Sequence, residues 1–88
     1  MKQMDAMFLQ IITTGMLQLF VKTVYVFEVD GKVVRFDFNR FLAGHTPVMR
    51  TKGILTVDEN DQFVSFDYEG GYLALEKRKQ PSIEIPKE

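Results

Sequence analysis

The run Gly44-His45-Thr46-Pro47 holds the only histidine of the chain. An imidazole on a Gly/Pro loop could act as a general base or as a metal ligand. Either role needs partners: a second imidazole, a thiolate or converging carboxylates. The chain has no cysteine and no other histidine. That removes thiolate metal sites, disulfides and a cysteine nucleophile. Ser65 falls in a strand pattern with no base at hand, and Ser82 falls in the tail.

Over Ala43–Val48 the sequence is similar to a short segment of the calcineurin-like metallophosphatases. The resemblance implies a His that helps hold a dinuclear metal centre. It also implies further His, Asp and Asn ligands on separate strand-loop motifs. The chain contains no Asp-x-His, no Gly-Asp and no Asn-His pair to supply them. His45 reads instead as a solvated loop residue, and no cofactor or metal is expected.

A second pattern is Asp58, Asn60, Gln62 and Glu69, spaced as in a calcium loop. The sixth position of such a loop needs glycine for its sharp bend, and here it is Phe63. The flanks alternate as strands do. Asp58 therefore reads as a turn residue. Gly70-Gly71 also reads as a turn, because no helix start with Lys-Ser/Thr follows to cradle a phosphate.

Basic side chains form the remaining candidate. Residues 39–52 carry Arg40, Arg50 and Lys52 without an acid, and Lys77, Arg78 and Lys79 follow the last strand pattern. Between them lie six acids, Asp58, Glu59, Asp61, Asp67, Glu69 and Glu76. If the basic groups converge, then Arg40, His45, Arg50, Lys52, Lys77, Arg78 and Lys79 would form an anion or nucleic-acid patch. Phe41 or Tyr72 would then stack on bases. The formal net charge of -1 argues against that partner class.

The elements that would position these groups are strands. In Val24–Phe38, Asp30-Gly31 separates two alternating runs, a strong two-residue hairpin signal. It pairs Phe27 with Val34, Tyr25 with Phe36, Glu28 with Val33, Val26 with Arg35 and Val24 with Asp37. Residues 53–78 read as a three-stranded meander turning at Asn60-Asp61 and Gly70-Gly71. Its register places Val57 opposite Val64, Leu55 opposite Phe66, Phe66 opposite Leu75 and Tyr68 opposite Leu73. Ile54, Phe63 and Ala74 are then apolar exceptions on the polar face.

The N-terminus admits two readings. Met4, Met7, Phe8, Ile11 and Ile12 have helical spacing, so residues 3–14 fit an amphipathic helix. Alternatively they form a hairpin turning at Thr13-Thr14-Gly15, with Ile11 opposite Leu17. The β-branched run Ile11–Thr14 favours strand. Asn39 could cap one helical turn through Ala43, with Gly44 as its left-handed stop. The tail, 80–88, reads as extended or disordered, or as an added edge strand.

These readings give one small β-rich domain, 1–79, within a chain of 88 residues. The expected fold is mainly β: an antiparallel sheet of about five to seven strands, a partly closed barrel or sandwich. The alternative is α+β, with an N-terminal helix on the sheet. If residues 7–33 are strands, Phe8, Ile12, Met16, Phe20, Val24, Val26 and Val33 share a second apolar face. A sheet this small cannot bury both faces, so that strip is an interaction signal. The expected function is a non-catalytic protein-interaction module, self-associating as a homo-oligomer. No window is apolar enough for a membrane helix and no secretory leader is apparent, so the expected location is cytoplasmic.

Overall fold

The computed structural model describes residues 1–16 and 20–77, with 15, 16, 20 and 21 described by their backbone only. These residues form seven antiparallel strands and no helix. They are β1 (Lys2–Met16), β2 (Phe20–Val29), β3 (Lys32–Phe38), β4 (Ala43–Gly44), β5 (Thr51–Val57), β6 (Phe63–Tyr68) and β7 (Gly71–Ala74). All lie in one sheet of order β3-β2-β1-β5-β6-β7-β4, which does not close into a barrel. No described helix is long and apolar enough to cross a membrane.

β1 joins two offset halves. Lys2–Phe8 pairs with β5, while Met7–Met16 pairs with β2. Only Met7 and Phe8 have partners on both sides. The sheet bends over this joint, bringing β2 and β3 across the inner face of β5 and β6. Phe27 is the centre of the resulting core. Its ring lies 5.6 Å from Phe8, 6.0 Å from Phe36, 6.2 Å from Phe63 and 4.9 Å from Phe66. Leu55, Val57, Leu73 and Leu42 are buried around it. Such ring pairs each contribute about 0.5–1.5 kcal/mol beyond burial itself, which suits a Phe-rich core without tryptophan.

The β2–β3 hairpin has the expected register at every pair. Asp30 and Gly31 take φ of 54° and 78°, as the two-residue turn requires. The N-terminus is strand, so the helical alternative is overturned. Its apparent helical spacing comes from a β-bulge. Phe8 pairs with Phe27 and Gln10 with Val26, leaving Leu9 as the extra residue. The inward phase then changes from Met4, Ala6 and Phe8 to Ile11. A bulge adds one residue to one strand and so reverses which side chains face inward.

The expected turn at Thr13-Thr14-Gly15 is also corrected. These residues pair with Thr23, Lys22 and Val21, and Ile11 lies opposite Tyr25. Placing Phe8 on Phe27 requires this longer hairpin. Leu17, in the expected pairing with Ile11, lies outside the described residues.

In the meander, Leu55 faces Phe66 as expected, but Val57 faces Phe63 because Val64 bulges. Phe63 is therefore in the core and not on the polar face. The last turn moves by one residue. Tyr68 pairs with Gly71 and Phe66 with Leu73, which makes Glu69-Gly70 the loop. Gly70 takes φ of 105°. Gly71 stays in the strand, where a Cβ would stand 2.6 Å from the Tyr68 hydroxyl oxygen. The ladder slips by two residues relative to expectation, so the inward face is preserved.

The expected helical turn after Asn39 is absent. The Thr23 hydroxyl donates to the Arg40 carbonyl at 2.7 Å, and the Leu42 N–H donates to the Tyr25 hydroxyl oxygen at 3.0 Å. These bonds hold the chain extended until β4 pairs with β7 through Ala43–Ala74 and Gly44–Leu73. Pro47 is buried, and the Arg50 N–H donates to the Phe8 carbonyl at 2.7 Å. The connection thus crosses one end of the bent sheet and returns to its joint.

Candidate interaction surfaces

The outer face of the β3-β2-β1 half is built by alternation. Tyr25 and Phe27 point inward, so Val24, Val26 and Glu28 point outward. The pairings set its rows. Ile12, Val24 and Asp37 form one row; Gln10, Val26 and Arg35 form the next. Lys52, Met7, Glu28 and Val33 form the third. Val24 and Val26 are already covered by these neighbours, at 8% and 5% exposure. Val33 is 63% exposed and Ile12 39%. No described element packs over this face.

Phe8 does not belong to it. The bulge at Leu9 turns Phe8 inward to 2% exposure, against Phe27. Met16 and Phe20 face each other at the end of the β1–β2 ladder. The outer strip is thus centred on Ile12, Val24, Val26 and Val33, with Arg35 and Asp37 on its flank.

The basic candidates are placed separately. Arg40 follows β3, and its guanidinium lies 3.5 Å from the Glu76 carboxylate. Lys52 lines a shallow groove of about 550 Å³ with Asp5, Glu28 and Asp30. For these two residues the positive charge has acids beside it. His45 is exposed, but its backbone is held on both sides. Its N–H donates to the Tyr72 carbonyl at 3.1 Å, and the Tyr68 hydroxyl donates to its carbonyl. Burial holds the Tyr68 phenol above its ordinary value. Arg50 is exposed and takes φ of 71°. Lys77 is exposed at the end of the described chain, and Arg78 and Lys79 lie outside the described residues.

Asp58 has a structural task. Its carboxylate accepts from the Asn60 N–H at 2.8 Å and from the Gln62 N–H at 2.9 Å. Its backbone N–H donates to the Gln62 carbonyl at 2.9 Å. Those bonds organise the β5–β6 turn, in which Asp61 takes φ of 62°. Asp61 also binds Lys2 at 2.9 Å, and that carboxylate raises the Lys2 pKa. Among the described residues, no group of three or more His, Asp or Glu is placed to hold a metal ion.

Sequence reasoning missed Val48 and Met49, and took Phe41 only as a ring that would stack on bases. Phe41, Val48 and Met49 are 56%, 78% and 63% exposed. They stand on the same connection as His45 and Arg50, whose charges drew attention first. No known protein family, curated protein or solved structure matches this chain.

Proposed function

We propose that the chain is a non-catalytic protein-interaction module that associates with copies of itself through the outer face of β1, β2 and β3. The observation that carries this reading is the exposure of Val33 and Ile12 on a sheet face that no described element covers. The centre of the strip, Val24 and Val26, is packed by its own neighbours, so a partner would cover the rim. Arg35 and Asp37 flank it with opposite charges. Two copies related by a two-fold axis can therefore meet there without facing like charges. With no cysteine to need an oxidising compartment, the same reading places the module in the cytoplasm.

The test is solution mass by light scattering across a dilution series. A dimer or larger species that dissociates on dilution supports the reading. A chain that stays at 10.2 kDa up to millimolar concentration sinks it.

A further inference from the structure

β3 stands at one end of the described sheet, and β4, two residues long, at the other. Among the described strands β3 is therefore the one long edge. Which of its backbone groups face outward follows from the hairpin. A two-residue turn makes Val29 and Lys32 a hydrogen-bonded pair, and bonded pairs then alternate along the ladder. Lys32, Val34, Phe36 and Phe38 bond β2. The N–H and C=O groups of Val33, Arg35 and Asp37 point away from it, where no described strand stands. Such an edge is a template for another strand.

The side chains narrow what that strand is. Arg35 and Asp37 are exposed on the outer face. Across the hairpin they face Val26 and Val24, so β2 gives neither of them a charged partner. Among the described residues, no ion pair uses them. On the inner face Phe36 and Phe38 are only half-buried. They line a groove of about 530 Å³ between β3 and the β5–β6 turn. A fitting strand brings an acid to Arg35, a base to Asp37 and an apolar group to Phe36. Arg35-Phe36-Asp37, run antiparallel, is its own complement.

We propose that two copies of the chain pair antiparallel through the free edges of β3, about a two-fold axis at Phe36. In this register Arg35 of each copy faces Asp37 of the other. These are the hydrogen-bonded pairs, so they use the outward backbone groups of β3, and both ion pairs lie on the outer face. Phe36 faces Phe36 across the axis as a non-bonded pair, where side chains come closest, and Val34 faces Phe38. Those apolar contacts fall on the inner face, beside the groove. The neighbouring two-fold registers set Arg35 against Arg35 or Asp37 against Asp37, and like charges directly opposite are destabilising. The pairing consumes the long edge of each copy, so it closes as a dimer. It goes beyond association through the outer face, because it needs the backbone of the edge and not the strip of Ile12 and Val33.

Amide hydrogen exchange from micromolar to millimolar protein tests it. The Arg35 and Asp37 amides are expected to slow at least about tenfold across that range. The Val34 and Phe36 amides, which bond β2, serve as internal controls. Ile12→Lys alters the outer face and leaves the edge intact, so the slowing is expected to survive it. Arg35→Asp and Asp37→Arg each set like charges opposite one another and are expected to abolish the slowing. An equimolar mixture of the two variants is expected to restore it, because each then faces its opposite. Exchange of Arg35 and Asp37 that is fast at every concentration overturns the proposal. Protection that is the same at every concentration also overturns it, because the edge is then covered within one molecule. A mixture that stays unprotected overturns it as well.

Discussion

The backbone N–H of Leu42 donates to the hydroxyl oxygen of Tyr25 at 3.0 Å, and both residues are buried. This bond ties the start of the long connection to the middle of β2. Tyr25→Phe keeps the ring and its contact with Phe38. It leaves the Leu42 N–H buried without its acceptor. The expected cost is about 1–3 kcal/mol, the penalty of an unsatisfied buried donor. Urea unfolding followed by circular dichroism measures it. A loss near zero would mean that the connection moves to find water.

Gly44 is set by geometry and not by flexibility alone. It takes φ of 108°, and a Cβ there would lie 1.9 Å from the Tyr72 carbonyl oxygen. Gly44→Ala therefore has to separate β4 from β7 as well as strain the backbone. Gly70 has a similar φ of 105°, but a Cβ there meets nothing within 4 Å. Gly70→Ala is expected to cost about 1–2 kcal/mol from strain alone, and Gly44→Ala clearly more. Equal losses in the two variants would show that contact with Tyr72 does not matter.

The expected register of the β2–β3 hairpin was legible because its turn residues and its alternation agree. The two errors of phase share one cause. Leu9 and Val64 are bulged, and neither carries a turn signal such as Gly, Pro or Asn. Their mark in the sequence is indirect: apolar residues three apart, Phe8 with Ile11 and Phe63 with Phe66. In the first case that spacing imitates a helix; in the second it leaves Phe63 as an exception. Bulges are settled by the tertiary demand that both aromatic rings enter one core, which local patterning does not express. Ile12 lies after the Leu9 bulge, in the outward phase of Val24 and Val26, while Val33 stands on β3 in the outward row of Met7, before it. Phe8 also lies before the bulge, but in the inward phase. The place of Arg40 beside Glu76 was not legible, because it depends on where the connection crosses the sheet.

Asp58 supplies an acceptor to two amides of its own turn. Asp58→Ala is expected to cost about 1–2 kcal/mol, as the loss of a comparable cap does. Asp58→Asn keeps an oxygen in the same place and is expected to recover most of that loss. Thermal unfolding of both variants checks it. If Asn were as damaging as Ala, the negative charge and not the hydrogen-bonding geometry would be what the turn needs.

Tyr68 carries a pH dependence. Its phenol is held above the ordinary value of 10.0 by burial, so the folded protein binds that proton more tightly than the unfolded chain. The associated stability is complete below about pH 10 and is lost as pH rises through the folded value. Ionisation also removes the donor to the His45 carbonyl. Unfolding midpoints measured from pH 8 to pH 11 are expected to fall above pH 10. Tyr68→Phe is expected to flatten that fall while lowering the midpoint at pH 8.

Self-association through the outer face makes a prediction that separates it from folding. Ile12 and Val33 are exposed at the rim of that face, so Ile12→Lys and Val33→Lys leave the core rings untouched. Surface substitutions of this kind stay within about 0.5 kcal/mol of the parent in stability. Placing a lysine in a contact between two copies costs far more there, through desolvation of its charge. Each variant is expected to keep the parent's unfolding midpoint while shifting the dilution curve toward monomer at least about tenfold in concentration. Phe8→Ala provides the contrast. It opens the core beside Phe27 and is expected to lose about 3–5 kcal/mol of stability. If Val33→Lys and Ile12→Lys leave the dilution curve of an associating parent unchanged, association runs through another surface. The exposed Phe41, Val48 and Met49 of the connection would be the next residues to replace.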